Sequence, residues 1–172
     1  MDLFMVVFRV LHIASAIAWA GGAALFFLYI EPTINAIGPD GEKVIAELVE
    51  KRRVPIYFLM VSTIAVLGGL ILYWRDSGGL QLSWITTATG LAFTIGGLSA
   101  VAAWIGGNLL IPRRLGVVAG IGAEMKALGG PPTPELMGRM RGAQEALRSI
   151  GLIDLILIGI AILGMASARY LG

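Results

Sequence analysis

Two residues that can do chemistry, Arg9 and His12, stand in the first apolar segment of the sequence. They are three residues apart, so a helix places both on one face, which continues to Ser15 and Trp19. An ionisable group deep in an apolar segment costs about 3 kcal/mol or more where that segment crosses a membrane, and it then indicates a functional site. His12 is the stronger candidate, because Arg9 lies close enough to the segment's start to extend its charge into water.

His12 is the single histidine of the sequence and cysteine is absent, so one chain cannot form a multi-histidine or thiolate metal site. One histidine can still be an axial ligand of haem, alone or as half of a bis-histidine pair between two chains. Its second nitrogen would then need a hydrogen bond, from Ser15 or from a carbonyl of a neighbouring helix. In the alternative interpretation, His12 only hydrogen-bonds a neighbouring helix and binds nothing.

The haem hypothesis assigns roles to four other residues. Met165 lies at a similar predicted depth in the last apolar segment and could be a second ligand. Arg9 and Arg169 would offset the charge of the propionates, and Trp19 would pack against the macrocycle. The competing hypothesis is a structural or accessory subunit without a cofactor. No catalytic residue is assigned, because the sequence has no phosphate loop, nucleophile elbow, zinc-protease motif or pair of intramembrane carboxylates.

Asp154 is the other charged residue inside a long apolar segment. It lies at a predicted depth comparable with Asn108 and with Arg113 and Arg114 of the third segment. The ordinary interpretation is a hydrogen-bonded or ionic tie between the two helices. A proton relay is the alternative.

Four segments long enough to span a membrane carry these residues. The 172-residue chain is 57% hydrophobic and 14% charged, with a mean hydropathy of +0.84, which is too few charges for a soluble surface. A span needs about 20 helical residues. The sequence predicts one domain, 1–172, with an all-α four-helix bundle in the membrane; the helices are expected at 3–30, 55–74, 84–111 and 150–171, with loops at 31–54 and 112–149. Pro32 and Pro112 are expected to end the first and third helices.

The distribution of basic residues predicts the orientation. Ten of the 13 Lys and Arg lie in the loops 31–54 and 112–149, so both loops are expected in the cytoplasm and both termini outside. The basic residues form no stripe with aromatics, which argues against nucleic acid as a partner. The absence of Lys and Arg before the first apolar run favours a span over a cleaved signal peptide.

The two loops are expected to be partly helical. Residues 42–53 place Val44, Ile45, Leu48 and Val49 on one face, which is typical of an amphipathic helix. Gly129 to Pro132 break the second loop, and Thr133 can cap a helix that begins at Pro134. The third and fourth helices are therefore expected to extend into the cytoplasm and to meet at this turn.

Two short motifs indicate a parallel duplication of a two-helix unit. Residues 18–22 (AWAGG) are echoed by residues 103–107 (AWIGG), and residues 64–68 (IAVLG) are echoed by residues 160–164 (IAILG). The glycines would form flat faces on which helices, or two copies of the chain, pack closely in lipid. They are Gly21, Gly22, Gly68, Gly69, Gly96, Gly97, Gly106, Gly107, Gly159 and Gly164.

The motif Arg9-Val10-Leu11-His12, with Trp19-Ala20-Gly21-Gly22 after it, resembles the first helix of small bacterial membrane proteins related to the copper-resistance D family. It is also similar to the leucine-histidine pair and later tryptophan of HemJ-type protoporphyrinogen oxidases. This resemblance implies a bacterial cytoplasmic membrane, and it implies that His12 holds a b-type haem. The chain lacks the intramembrane lysine of the HemJ-type proteins and the extra histidines of the copper family, so neither family's activity follows from it.

Overall fold

Four long helices make up most of the computed structural model, which describes residues 2–171 except for the side chains of Pro39 and Glu42. In chain order the helices are α1 (Leu3–Ile37), α2 (Gly41–Ala46, continued by a π turn at Glu47–Lys51), α3 (Val54–Asp76), α4 (Leu82–Ile85), α5 (Ala88–Ala127) and α6 (Pro134–Ala168). No strand occurs among residues 2–171. By length and composition α1, α3, α5 and α6 can each cross a membrane. The all-α fold with four apolar spans is therefore confirmed.

Apolar side chains cover the outside of the bundle. Leu98, Ile156 and Leu163 are 67%, 62% and 71% exposed. Water would make such a surface aggregate, whereas lipid chains cover it at no cost. The 40 residues of α5 extend about 60 Å, roughly twice the thickness of the hydrocarbon core of a membrane. Part of α5 must therefore project beyond the membrane.

The spanning helices form two hairpins, which pack side by side. Helix α1 packs mainly against α3, which makes the first hairpin, and α5 packs mainly against α6, which makes the second. The hairpins meet chiefly through α3 and α5. Side-chain hydrogen bonds join these two helices at Thr63–Trp104 (3.0 Å), Ser62–Asn108 (3.1 Å) and Tyr73–Thr94 (2.6 Å). Polar bonds of this kind hold helices together where lipid provides no hydrophobic driving force.

The buried core is small and is built from all four spanning helices. Trp19 and Ala23 come from α1, Ala65 from α3, Ala103 from α5 and Ile158 from α6. Three of the five are alanines, which let the helix backbones approach closely. The core thus fixes the position of α1, and with it the position of His12.

The prediction that Pro32 and Pro112 end their helices was wrong. Helices α1 and α5 continue through them, because a π turn stands immediately before each proline region, at Phe26–Ile30 and Gly106–Leu110. In each turn the residue before the proline donates to the carbonyl five residues back. In an α-helix, proline lacks the amide donor and clashes with the carbonyl four residues back. The extra residue of a π turn shifts the hydrogen bonds to the carbonyl five residues back, so the helix can continue through the proline.

The connections differ from the expected bounds in detail. Residues 82–85 form the separate helix α4, so the third span begins at Ala88 rather than 84. As expected, α5 and α6 extend beyond 111 and before 150 and meet at a turn near Gly129. The Thr133 hydroxyl accepts from the Leu136 amide at 3.3 Å and caps α6. Arg139 pairs with Glu124 at 2.7 Å, which joins the projecting parts of the two helices.

The helix expected at residues 42–53 is also present, as α2 and its π turn. Val44, Ile45 and Val49 are 39%, 41% and 43% exposed. An apolar face left uncovered by the chain is typical of a helix that lies at a membrane interface.

Candidate functional site

His12 lies in a groove that two glycines of α3 provide. A Cβ atom added at Gly68 would lie 3.3 Å from the His12 Cβ, and one added at Gly69 would lie 2.9 Å from its Cε1. The second distance is shorter than real Cβ contacts allow, so the imidazole occupies space that exists only because residue 69 has no side chain. The pair Gly68-Gly69 therefore positions the ring.

A hydrogen bond fixes the chemical form of this ring. The His12 Nδ1 lies 2.7 Å from the carbonyl oxygen of Ala65. A carbonyl can only accept, so Nδ1 carries the proton, and in a neutral ring the lone pair is on Nε2. Nε2 forms no hydrogen bond within residues 2–171, and the chain does not enclose it. His12 thus has an oriented nitrogen, Nε2, whose lone pair is available to a ligand.

Ser15 has a different role from the imidazole partner that the sequence allowed. Its hydroxyl donates to the backbone carbonyls of Leu11 at 2.6 Å and of His12 at 3.1 Å. The carbonyl of a neighbouring helix, the other expected partner, is the one that holds His12. Ser15 is 8% exposed and contributes to the packing of α1.

Arg9 belongs to a group of charges at the end of the bundle where α1 begins and α3 ends, here called the Asp76 end. Its guanidinium lies 3.8 Å from the Asp76 carboxylate, with side chains 60% and 37% exposed. Arg75 pairs with Asp2 at 2.6 Å beside it. Exposed pairs of this kind stabilise a protein by at most about 1 kcal/mol. Their clearer consequence is that Arg9 extends toward the polar end of the helix.

The other predicted haem residues are dispersed. Trp19 is 7% exposed and packs in the core with Ala23, Ala65, Ala103 and Ile158. Met165 belongs to the second hairpin, where its Cγ would lie 3.2 Å from a Cβ at Gly96. The guanidinium of Arg169 lies over the Tyr170 ring, 5.2 Å from its centroid. The contacts of Met165 therefore give no support to a His12 and Met165 ligand pair.

The surroundings of Asp154 differ from those that the sequence predicts. It is 4% exposed, and its Oδ1 has no hydrogen-bond partner within residues 2–171. The expected tie to Asn108 or the Arg113-Arg114 pair is absent there, because the Asn108 amide donates to Ser62 and to the Trp104 carbonyl instead. Asp154 faces Gly106 and Gly107: a Cβ at Gly106 would lie 2.6 Å from Oδ1.

The contacts of the two hairpins repeat, which supports the duplication and corrects its register. In the first hairpin Gly22 faces Phe58 and His12 faces Gly68; in the second, Gly106 faces Asp154 and Gly96 faces Gly164. Positions 22 and 106, like 12 and 96, are 84 apart, whereas positions 58 and 154, like 68 and 164, are 96 apart. The tryptophan motifs are 85 apart and so are shifted by one residue from the structural match.

This correspondence separates the two polar sites. The first hairpin has His12 where the second has Gly96, and the second has Asp154 where the first has Phe58. If the two hairpins arose by duplication, each has gained a polar residue where the other has an apolar one, and the two residues lie at different positions along the contact between the paired helices. The imidazole and the carboxyl therefore belong to different hairpins and different sites.

No protein-family model, curated protein or solved structure shows a significant match to this chain. Residues 2–171 hold no group of three or more His, Cys, Asp or Glu with the spacing of a metal site. A function must therefore be argued from the two isolated polar groups themselves.

Proposed function

We propose that this protein is a small multi-pass membrane protein in which the Nε2 atom of His12 is an axial ligand of a b-type haem or a related porphyrin. The observation that supports the proposal is the bond from Nδ1 to the Ala65 carbonyl, which leaves Nε2 as an oriented donor. Histidines that bind iron commonly donate their other N–H to a carbonyl or carboxylate, because this bond fixes the tautomer and raises the basicity of the ligand.

The free nitrogen also needs a partner on energetic grounds. The hydrocarbon chains of lipids cannot form hydrogen bonds. Placing a polar atom among them without a partner therefore costs on the order of several kcal/mol. The chain supplies no group to Nε2 within residues 2–171. A ligand or a group of another chain would remove this cost.

The macrocycle in this proposal lies against the outside of the first hairpin. Trp19 and the alanine core close the interior, whereas His12 is only half-buried. Arg9, with a side chain 60% exposed at the Asp76 end, is the accessible cation nearest in sequence to His12 and is suited to pair with a propionate. Such a surface site needs a second wall, which a second copy of the chain or another membrane protein would supply.

An absorption spectrum of gently purified protein tests the proposal. We expect a Soret band and reduced b-type peaks, and His12→Ala is expected to abolish both. Ser15→Ala is the matched control, because the Ser15 hydroxyl bonds only backbone carbonyls. Protein that stays colourless after reconstitution with haem, or a His12→Ala variant with an unchanged spectrum, would rule out His12 as the ligand.

A second candidate is an accessory subunit without a cofactor, in which a partner helix bonds to Nε2. It is favoured by glycines that the chain itself leaves uncovered: nothing lies within 4 Å of a Cβ at Gly21, Gly97 or Gly159. Small, flat surfaces of this kind are typical of helix association in membranes. Crosslinking in native membranes tests it, since Gly21→Leu should abolish a dimer or a complex that forms on this face.

The compartment and orientation are part of the same proposal. We infer from the distribution of the basic residues that residues 31–54 and 112–149 lie in the cytoplasm and both termini outside, and from the resemblance of the first helix that the membrane is a bacterial cytoplasmic membrane. The Asp76 end would then be the outer end, and His12 would lie near the outer leaflet.

A further inference from the structure

Asp154 is a buried acid that has no counter-ion among residues 2–171 and lies inside an apolar helix. Its side chain is 4% exposed, and Oδ1 is enclosed without a hydrogen bond within residues 2–171. The other oxygen, Oδ2, faces the backbone of Gly107. None of the ion pairs of the described residues includes this carboxyl.

Within the part of the chain that the structure describes, no charged side chain acts on Asp154 from a neighbouring helix. On α5 it meets the glycine backbone, and on the neighbouring α3 the Ser62 hydroxyl accepts from Asn108. On α1 the Phe27 ring packs on Gly151, one helical turn before Asp154. The nearest charged residues along these helices are Arg148 on α6, Arg113 and Arg114 on α5, and Glu31 on α1; the three arginines are exposed and Glu31 is half-buried.

We propose that Asp154 is a proton-binding site at the contact between α5 and α6. An ionised carboxylate here would be a buried charge without a counter-ion. Removing such a charge from water costs on the order of several kcal/mol, so the packed state holds the neutral acid. Ionisation requires that α5 move away from α6 and admit water. Binding or release of the proton is thereby linked to the separation of two helices.

The backbone of α5 is suited to such a movement. Gly106 begins the π turn Gly106–Leu110, whose hydrogen bonds span five residues instead of four. Such turns are rare, and they occur frequently at functional sites. A Cβ at position 106 would lie 2.6 Å from Oδ1. Helix α5 can therefore pack against the Asp154 carboxyl only if residue 106 is glycine.

A proton fits this site better than a metal cation. Sodium, magnesium or calcium would need several oxygen ligands around the ion, and Oδ1 has no oxygen partner within the described residues. The Asn108 amide, which the sequence offered as a partner, donates to Ser62 and to the Trp104 carbonyl instead. A single carboxyl without further ligands can hold a proton and little else.

Infrared spectroscopy of the full chain in lipid tests the proposal. An ordinary aspartate ionises near about pH 3.9, so at about pH 7 only a protected carboxyl keeps the C=O stretch of the protonated acid. We expect this band in the wild-type protein, its loss in Asp154→Asn, and its retention in Asp76→Asn, the matched exposed carboxyl. A wild-type spectrum without the band, or a band that Asp154→Asn leaves unchanged, overturns the assignment.

Two further arms test the contact and the ligand. Gly106→Ala should shift or abolish the band, because its Cβ displaces the carboxyl, whereas Gly97→Ala, with nothing within 4 Å, should leave it unchanged. Equal spectra of both variants would contradict the role of Gly106. Loss of the band on addition of sodium at constant pH and ionic strength would show a cation site in place of a proton site. None of these measurements depends on whether His12 binds haem.

Discussion

The His12 Nδ1 atom lies 2.7 Å from the carbonyl oxygen of Ala65, on a ring that fits against Gly69. The hydrogen bond and the steric fit act on the same imidazole, and both come from α3. Together they hold the ring in one orientation and one tautomer without any side-chain partner. A rigid ring with one free nitrogen is what ligand binding requires, and it also fastens α1 to α3.

The first prediction concerns the groove under this ring. Gly69→Ala should destabilise the first hairpin by about 1–3 kcal/mol, the usual cost of overpacking, because its Cβ would lie 2.9 Å from Cε1. Thermal unfolding in detergent measures the effect. Gly21→Ala is the control, since nothing lies within 4 Å of its Cβ. Equal unfolding temperatures for the two variants would show that the ring does not fill this groove.

The second prediction concerns the contact between α6 and the π turn of α1. A Cβ at Gly151 would collide with the Phe27 ring, and Phe27 lies within the π turn Phe26–Ile30. Gly151→Ala should therefore lower stability by about 1–3 kcal/mol. Gly159→Ala, on the same helix with nothing within 4 Å, should be close to neutral. If truncation of the ring in Phe27→Ala restores the stability of Gly151→Ala, the clash itself is the cause.

Local sequence signals were sufficient to predict the four spans, although not all of their ends. The four spans follow from apolar runs of about 20 residues, and the start of α6 follows from the Thr133 cap and Pro134, since both features depend on residues close together in the chain. The predicted helix ends at Pro32 and Pro112 were wrong because no characteristic amino-acid composition marks the π turns that precede these prolines. A proline alone does not tell whether the preceding turn has made room for it.

Contacts between helices were harder to predict. Successive residues point about 100° apart around a helix, so an error of one residue in the alignment assigns a side chain to the wrong face. The tryptophan motifs match at a spacing of 85, yet the contacts repeat at 84. As a result Trp19 corresponds to Ala103, and both lie in the core, whereas Trp104 bonds to Thr63 on α3. For the same reason the sequence singled out His12 and Asp154 but could not show that a carbonyl holds His12, or that Oδ1 of Asp154 has no partner within the described residues.

The third prediction concerns orientation. Because the chain has no cysteine, single cysteines can be introduced at positions 78 and 139 without a background to remove. We expect a membrane-impermeant thiol reagent to label position 78 from outside in intact cells and position 139 only after the cells are opened, since ten of the 13 basic residues lie in the loop that holds position 139 and in the loop 31–54. Labelling of position 78 only after opening would reverse the orientation.

The last prediction concerns the charges beside the proposed haem. Arg9 and Asp76 lie 3.8 Å apart at the Asp76 end, on the helices that hold His12. A positive charge near haem favours the reduced, electron-rich state, so Arg9→Ala should keep the Soret band but lower the reduction potential. Asp76→Asn removes the opposite charge of the same pair and should raise it. The effect should weaken as salt rises, because both side chains are partly exposed. Redox titration of the two variants beside the wild type provides the measurement; shifts of the same sign, or none in either variant, would place the haem away from this end of the first hairpin.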